Sequence, residues 1–137
     1  MKAANNLTLK DYLAGAAFAN SLVWLVLGLT VASEINYVNM YQLFFILYLI
    51  GAITAGYLVS RKSFNKHIKI GLITGASAFV IHIYVFMGLL EWLWGQRVMG
   101  LFDHLLILPI FILGAVIGTF VCKQISPRTV NYSEEPK

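Results

Sequence analysis

Charged positions interrupt this chain only at long intervals. Residues 12–33, 35–60, 70–90 and 104–122 contain no Asp, Glu, Lys or Arg. A bilayer core is crossed by about 20 apolar residues in helical form. Only a helix satisfies its own backbone in lipid one segment at a time. The pattern therefore predicts an all-α protein: a four-helix transmembrane bundle with helices near 12–32, 38–60, 68–91 and 103–123. Residues 1–124 form the bundle in this reading, and 125–137, with Pro127, Glu134, Glu135 and Pro136, form a polar cytoplasmic tail.

The apolar pattern repeats. Shifting the chain by 60 positions sets Gly15, Ala16, Gly28 and Leu29 of span one against Gly75, Ala76, Gly88 and Leu89 of span three. Spans two and four share an ending, with Gly51 and Ala52 matching Gly114 and Ala115. The expected architecture is two tandem helical hairpins of like orientation, related by a pseudo-twofold along the membrane normal. Chance similarity in a small apolar alphabet is the competing explanation.

Composition supports the membrane. Hydrophobic residues make up 59% of the 137 and charged residues 12%, against about 25% charged in an average soluble domain. A water-soluble chain of this size has too little interior to hide so much apolar surface. The net charge of +4 matters less than its distribution. Lys2 and Lys10 precede span one. Arg61, Lys62, Lys66 and Lys69 connect spans two and three, and Lys123, Arg128 and Lys137 follow span four. Arg97 alone lies on the other side, so both termini are expected in the cytoplasm of a cell membrane. Tyr37, Tyr41, Trp92 and Trp94 would mark the outer boundary, and Tyr12, Tyr57 and Phe64 the inner one. The triplets Asn6-Leu7-Thr8 and Asn131-Tyr132-Ser133 then fall inside, where they are not glycosylated. The apolar part of span one is longer than that of a cleaved signal peptide, so it is expected to be retained.

Small residues one helical turn apart let helix backbones approach closely in lipid. Gly71 and Gly75, Gly114 and Gly118, and Ala52 and Gly56 have that spacing, and packing within the bundle or against another chain would use it. Pro109 removes a backbone donor inside span four and predicts a kink there.

Few polar residues remain to carry chemistry. His82 lies within span three on the face of Gly71, Gly75 and Ala78, so its ring points into protein. Ionisable residues within a span are functional candidates, while a buried imidazole bonded to a neighbouring helix is the structural alternative. Asn20 and Ser21 are the polar pair inside span one, with side chains able to bond across helices. His104 opens span four on the face of Phe111, Gly114 and Gly118. With Glu91 and Asp103 it suggests an outer-surface metal or proton-entry site, to which Met87 or Met99 would add a soft ligand; the alternative is a loop strap anchored by Trp92 and Trp94. His82 lies about nine residues, or ~13 Å, below the outer end of span three, and His104 sits near the surface. The two rings are therefore expected at different depths, too far apart to hold one haem. The inner loop of Arg61, Lys62, Lys66 and Lys69 suits anionic lipid headgroups. Cys122 is the single cysteine; it excludes an internal disulfide and a paired-thiol redox site.

The chain resembles small multidrug transporters in length and number of spans, but that family needs a glutamate in the middle of span one. Here Asp11 stands at the edge and Asn20, Ser21 and Leu22 occupy the centre. No nucleotide loop and no nucleophile with an adjacent base is present, and no cofactor or confident metal site is expected. The leading expectation is an accessory or assembly subunit of a larger membrane complex, with the bilayer and other membrane subunits or itself as partners and no nucleic acid. The alternatives are a small dimeric transporter or channel using His82 and, more weakly, a metal- or haem-bearing redox subunit.

Overall fold

The computed structural model describes residues 7–32, 41–63, 67–90 and 100–125. The elements are α1 (Leu9–Ala32), α2 (Tyr41–Ser60), α3 (His67–Ile83), a π-helical segment (Tyr84–Leu90) continuing α3, and α4 (Leu101–Ile125). Apolar stretches of 21, 19, 20 and 25 residues within them are each long enough to cross a membrane. This is a multi-pass membrane protein built as a four-helix bundle.

Apolar side chains cover both sides of every helix. Leu25, Leu29, Val80, Leu113 and Ile117 are exposed, while Ala16, Ala19, Val23, Tyr48, Ala52, Ala55, Ile107 and Phe111 are buried. A helix apolar all round is at home in hydrocarbon. In such surroundings burial alone does not hold helices together, and close fit does.

That fit comes from glycines at the helix crossings. A Cβ on Gly118 would collide with the carbonyl oxygen of Ile53, and one on Gly56 with that of Ala115. On the other side of α4, a Cβ on Gly71 would stand 2.7 Å from the Cα of Val116, and one on Gly75 2.7 Å from the Cα of Ile112. Gly114 meets Ala52 and Leu49. These small-residue faces join helices of the same chain.

The contacts also fix direction. Gly15 meets Val59 and Gly51 meets Ala19, so α1 and α2 run antiparallel. Gly71 with Val116 and Gly75 with Ile112 make α3 and α4 antiparallel, whereas Gly114 with Ala52 and Gly118 with Ile53 make α2 and α4 parallel. Two hairpins of like orientation result. They pack through both matching pairs, α1 on α3 and α2 on α4, and α2 also reaches α3. No equally extensive α1–α4 contact balances this among the described residues, so any twofold between the halves is approximate. The end of the bundle carrying the α2–α3 connection is its terminal end, and the opposite one its distal end.

Helix starts are set locally. Asp11 accepts hydrogen bonds from the Thr8 backbone N–H (2.9 Å) and hydroxyl (2.8 Å), capping α1, where a carboxylate also favours the helix dipole. The same carboxylate pairs with Lys62, tying the α2–α3 connection to the start of α1. Asp103 plays the matching part in α4, accepting from the Gly100 N–H at 3.2 Å as the acid of a capping box does. α4 is continuous through Pro109. The sequence pattern ends it at 123 and starts α1 at 12; the helices run instead to Ile125 and from Leu9, and the expected start of α2 at 38 lies outside the described residues. The tail beyond Ile125 and the loop tryptophans lie outside the described residues.

Candidate functional site

Three ring side chains from three helices form one buried hydrogen-bonded chain. The Tyr48 hydroxyl lies 3.0 Å from Nδ1 of His82. Nε2 of His82 lies 3.0 Å from Nδ1 of His104. All three residues are at most 1% exposed. Tyr48 projects from α2, His82 from α3 and His104 from α4, so the chain crosses the bundle.

Each residue reaches the axis for a local reason. Tyr48 shares a helical face with Ala52, Ala55 and Val59, all buried. His82 continues the buried face of Gly71, Thr74, Gly75 and Ala78. His104 continues that of Ile107, Phe111, Gly114 and Gly118. Small residues bring the helices together further along, and the rings fill the space where the helices carry larger side chains.

Aromatic rings wall the site. Phe111 meets Tyr48 edge to face at 5.1 Å between centroids, and Phe86 lies 4.6 Å from the His82 ring. Phe86 also approaches His104, at 6.3 Å. It belongs to the π-helical segment, which begins two residues after His82. Such segments are rare and recur at functional sites, where they re-aim side chains.

The histidine pair corrects the sequence-based depth argument. Distal ends of spans three and four at one level would put the two rings at different depths. In the structure His104, three residues into α4, is level with His82, from which the third span continues through seven π-helical residues to Leu90. The start of α4 therefore sits deeper than the end of span three, and His104, one turn into α4, meets His82. It is a buried residue of the bundle, not part of an outer surface. Asp103, its neighbour in sequence, is half-buried and turned to the α4 cap. Glu91 and Met99 lie outside the described residues, as does the side chain of Met87. Among the described residues no three His, Cys, Asp or Glu converge as ligands for a metal ion.

Asn20 bridges α1 and α3. Its amide donates to the Ala16 carbonyl oxygen at 2.9 Å and to the Ala78 carbonyl oxygen at 3.0 Å. Ala78 is one turn from His82 on the same face. The Oδ1 atom of Asn20 and the hydroxyl of Thr74, both fully buried, make no hydrogen bond to protein. Ser21 behaves differently from its neighbour: its hydroxyl donates to Phe18 of its own helix at 2.7 Å. A short serine side chain reaches its own backbone more readily than another helix.

The basic connection is divided. Lys62 is paired with Asp11, and Arg61 lies over the Tyr57 ring at 6.0 Å. Lys69 is exposed at the start of α3, and Lys66 lies outside the described residues. Cys122 is buried near the end of α4.

Sequence reading missed Tyr48, treating tyrosines only as boundary markers. The helical count that placed His82 would have found it, because Tyr48 stands four residues before Ala52 on the small-residue face of span two. Thr74 lies on the His82 face and was missed in the same way.

Chemically, the chain is a set of groups that both give and take protons. With Tyr48 donating to His82 Nδ1, the His82 Nε2–H donates to His104 Nδ1. In the reverse polarity His104 Nδ1–H donates to His82 Nε2, and His82 Nδ1–H donates to the Tyr48 oxygen. Both arrangements are neutral; passing from the first to the second takes up one proton at the Tyr48 oxygen and releases one from His104 Nε2, with no heavy atom moved. No family model, curated protein or solved structure matches this chain.

Proposed function

We propose that this protein is a small proton-linked transporter or channel, with the Tyr48–His82–His104 chain as its proton-handling element. One observation carries this reading: three proton-exchanging side chains from three helices are hydrogen-bonded in series inside the membrane-spanning region. Ionisable groups there are costly and tend to mark ion or proton paths. His104 is three residues from the start of α4, about 5 Å along the helix, which suits proton entry at the distal end. Toward the terminal end the face of His82 continues through Ala78, bonded by Asn20, to Thr74. The spare hydrogen-bonding capacity of Asn20 and Thr74 supports a route in that direction. Orientation follows the basic residues: the termini are cytoplasmic, the distal end faces out, and the membrane is the cell membrane.

The test is proton flux into vesicles reconstituted with the purified protein, read by an internal pH-sensitive dye under an imposed potential. The wild type conducts, His82→Asn and Tyr48→Phe reduce the flux at least about tenfold, and all three proteins reconstitute equally. Flux equal to that of empty vesicles for the wild type refutes the reading.

The second reading is an accessory or assembly subunit. The small-residue pairs that could have packed against another chain are engaged within the bundle. Gly28 and Gly88 favour it: both are exposed, and among the described residues nothing stands where a Cβ would be, so another helix has room to approach closely there. Mild detergent extraction followed by identification of co-purifying membrane proteins distinguishes it. A stoichiometric partner lost on Gly28→Leu supports the subunit; a homogeneous single-species preparation opposes it.

A further inference from the structure

At the terminal end, between the first turn of α3 and the last turns of α4, lies a groove of about 230 Å³ lined by His67, Ile68, Lys69, Phe120 and Lys123. It opens just beyond the close Gly71–Val116 contact. Two lysines stand in its lining, one from each helix, with the exposed apolar side chains of Ile68 and Phe120 beside them. Among the described residues the lining contains no carboxylate. Among the described residues the ion pair is that of Lys62 with Asp11, and neither Lys69 nor Lys123 has an acidic partner. The imidazole of His67 is held at the groove by the Ser60 hydroxyl, 2.9 Å from Nδ1, so this part of the lining is fixed by α2.

We propose that this groove binds one anionic phospholipid, its phosphate between Lys69 and Lys123 and the upper part of an acyl chain against Ile68 and Phe120. Three features select a lipid over a soluble anion. The groove lies where two apolar spans end, the level at which headgroups sit. The surface between the lysines is almost wholly apolar, which a free phosphate leaves unused and a glycerolipid covers. Long lysine stems at membrane boundaries characteristically cover apolar surface while their ammonium groups reach the headgroup layer. Basic side chains near an anionic leaflet each add to lipid affinity; here they come from two helices whose spacing is set by Gly71, which makes a defined site. It is independent of the proton chain, which lies toward the other end of the bundle.

The test is native mass spectrometry of the full-length protein in neutral detergent, titrated with phosphatidylglycerol, with phosphatidylcholine of the same chains, or with inorganic phosphate. One phosphatidylglycerol is expected to bind before any other lipid, at least about tenfold more tightly than phosphatidylcholine, since two lysines contribute. Phosphate at millimolar concentration is expected neither to bind nor to compete. K69Q/K123Q is expected to lose the preference, K69R/K123R to keep it, and all variants to keep the melting temperature of the wild type. Equal binding of the two lipids, a preference that survives K69Q/K123Q, or displacement by inorganic phosphate would each overturn the assignment. If K69Q/K123Q fails to fold, loss of the preference in the single variant K123Q decides the matter instead.

Discussion

Nε2 of His82 and Nδ1 of His104 lie 3.0 Å apart, although 22 positions separate the residues in sequence and they belong to different helices. One ring must present a lone pair where the other presents a hydrogen. The pair therefore couples the protonation and tautomer of α3 to those of α4, and Tyr48 extends the coupling to α2.

That coupling is measurable as energy. Replacing His82 by Asn and His104 by Asn, singly and together, forms a double-mutant cycle. Buried residues in one hydrogen-bond network show interaction energies of about 0.5–3 kcal/mol. A coupling near 1 kcal/mol is expected from unfolding in mixed micelles. Additive effects within about 0.3 kcal/mol mean that the two rings do not interact.

Asn20 and Ser21 are adjacent in sequence but differ in what they join. Asn20→Ala removes a bond from α1 to the Ala78 carbonyl of α3, whereas Ser21→Ala removes a bond within α1. Asn20→Ala is expected to destabilise the bundle by about 0.6–1.7 kcal/mol, the range for interhelical side-chain bonds in membranes. Ser21→Ala should change stability by less than about 0.5 kcal/mol, as substitutions away from special contacts do. Chemical denaturation of the two variants compares them directly; equal losses contradict the assignment.

Gly118 and Gly28 make a similar pair. A methyl group on Gly118 meets the Ile53 backbone, while one on Gly28 meets nothing among the described residues. Gly118→Ala should lower stability by about 1–3 kcal/mol through overpacking. Gly28→Ala should be neutral or stabilising by up to about 1 kcal/mol, because alanine is the better helix former. Thermal unfolding in detergent reads both, and a tolerated Gly118→Ala would refute the close α2–α4 crossing.

The proposed orientation has its own check. In a Cys122→Ala background, cysteine placed at Ser63 in the α2–α3 connection should react with a membrane-impermeant maleimide only after cells are opened. Cysteine at Gly100, exposed at the distal end, should react in intact cells. The reverse pattern inverts the topology.

Much of the fold was legible in the sequence because lipid imposes a simple rule: a span must be long and uncharged. The small-residue faces were legible too, since spacing by four brings side chains over one another. What the sequence did not disclose was the relative height of the helices. Helical rise measures depth within one helix and says nothing of where the next begins. The start of α4 at Leu101 lies below the end of the π-helical run at Leu90, which sets His104 level with His82, and no periodicity reveals that offset. Tyr48 was lost for another reason: tyrosine is commonest at membrane boundaries, and that tendency hid its place on a packed face.

The hydrogen bond between the two histidines in a bilayer is tested most directly by nitrogen magnetic resonance of the histidine-labelled protein. Reconstituted wild-type protein should show scalar coupling between Nε2 of one imidazole and Nδ1 of another, lost in His104→Asn and in His82→Asn. Two buried imidazoles with no coupling between them in the folded wild type would contradict the chain and the function proposed for it.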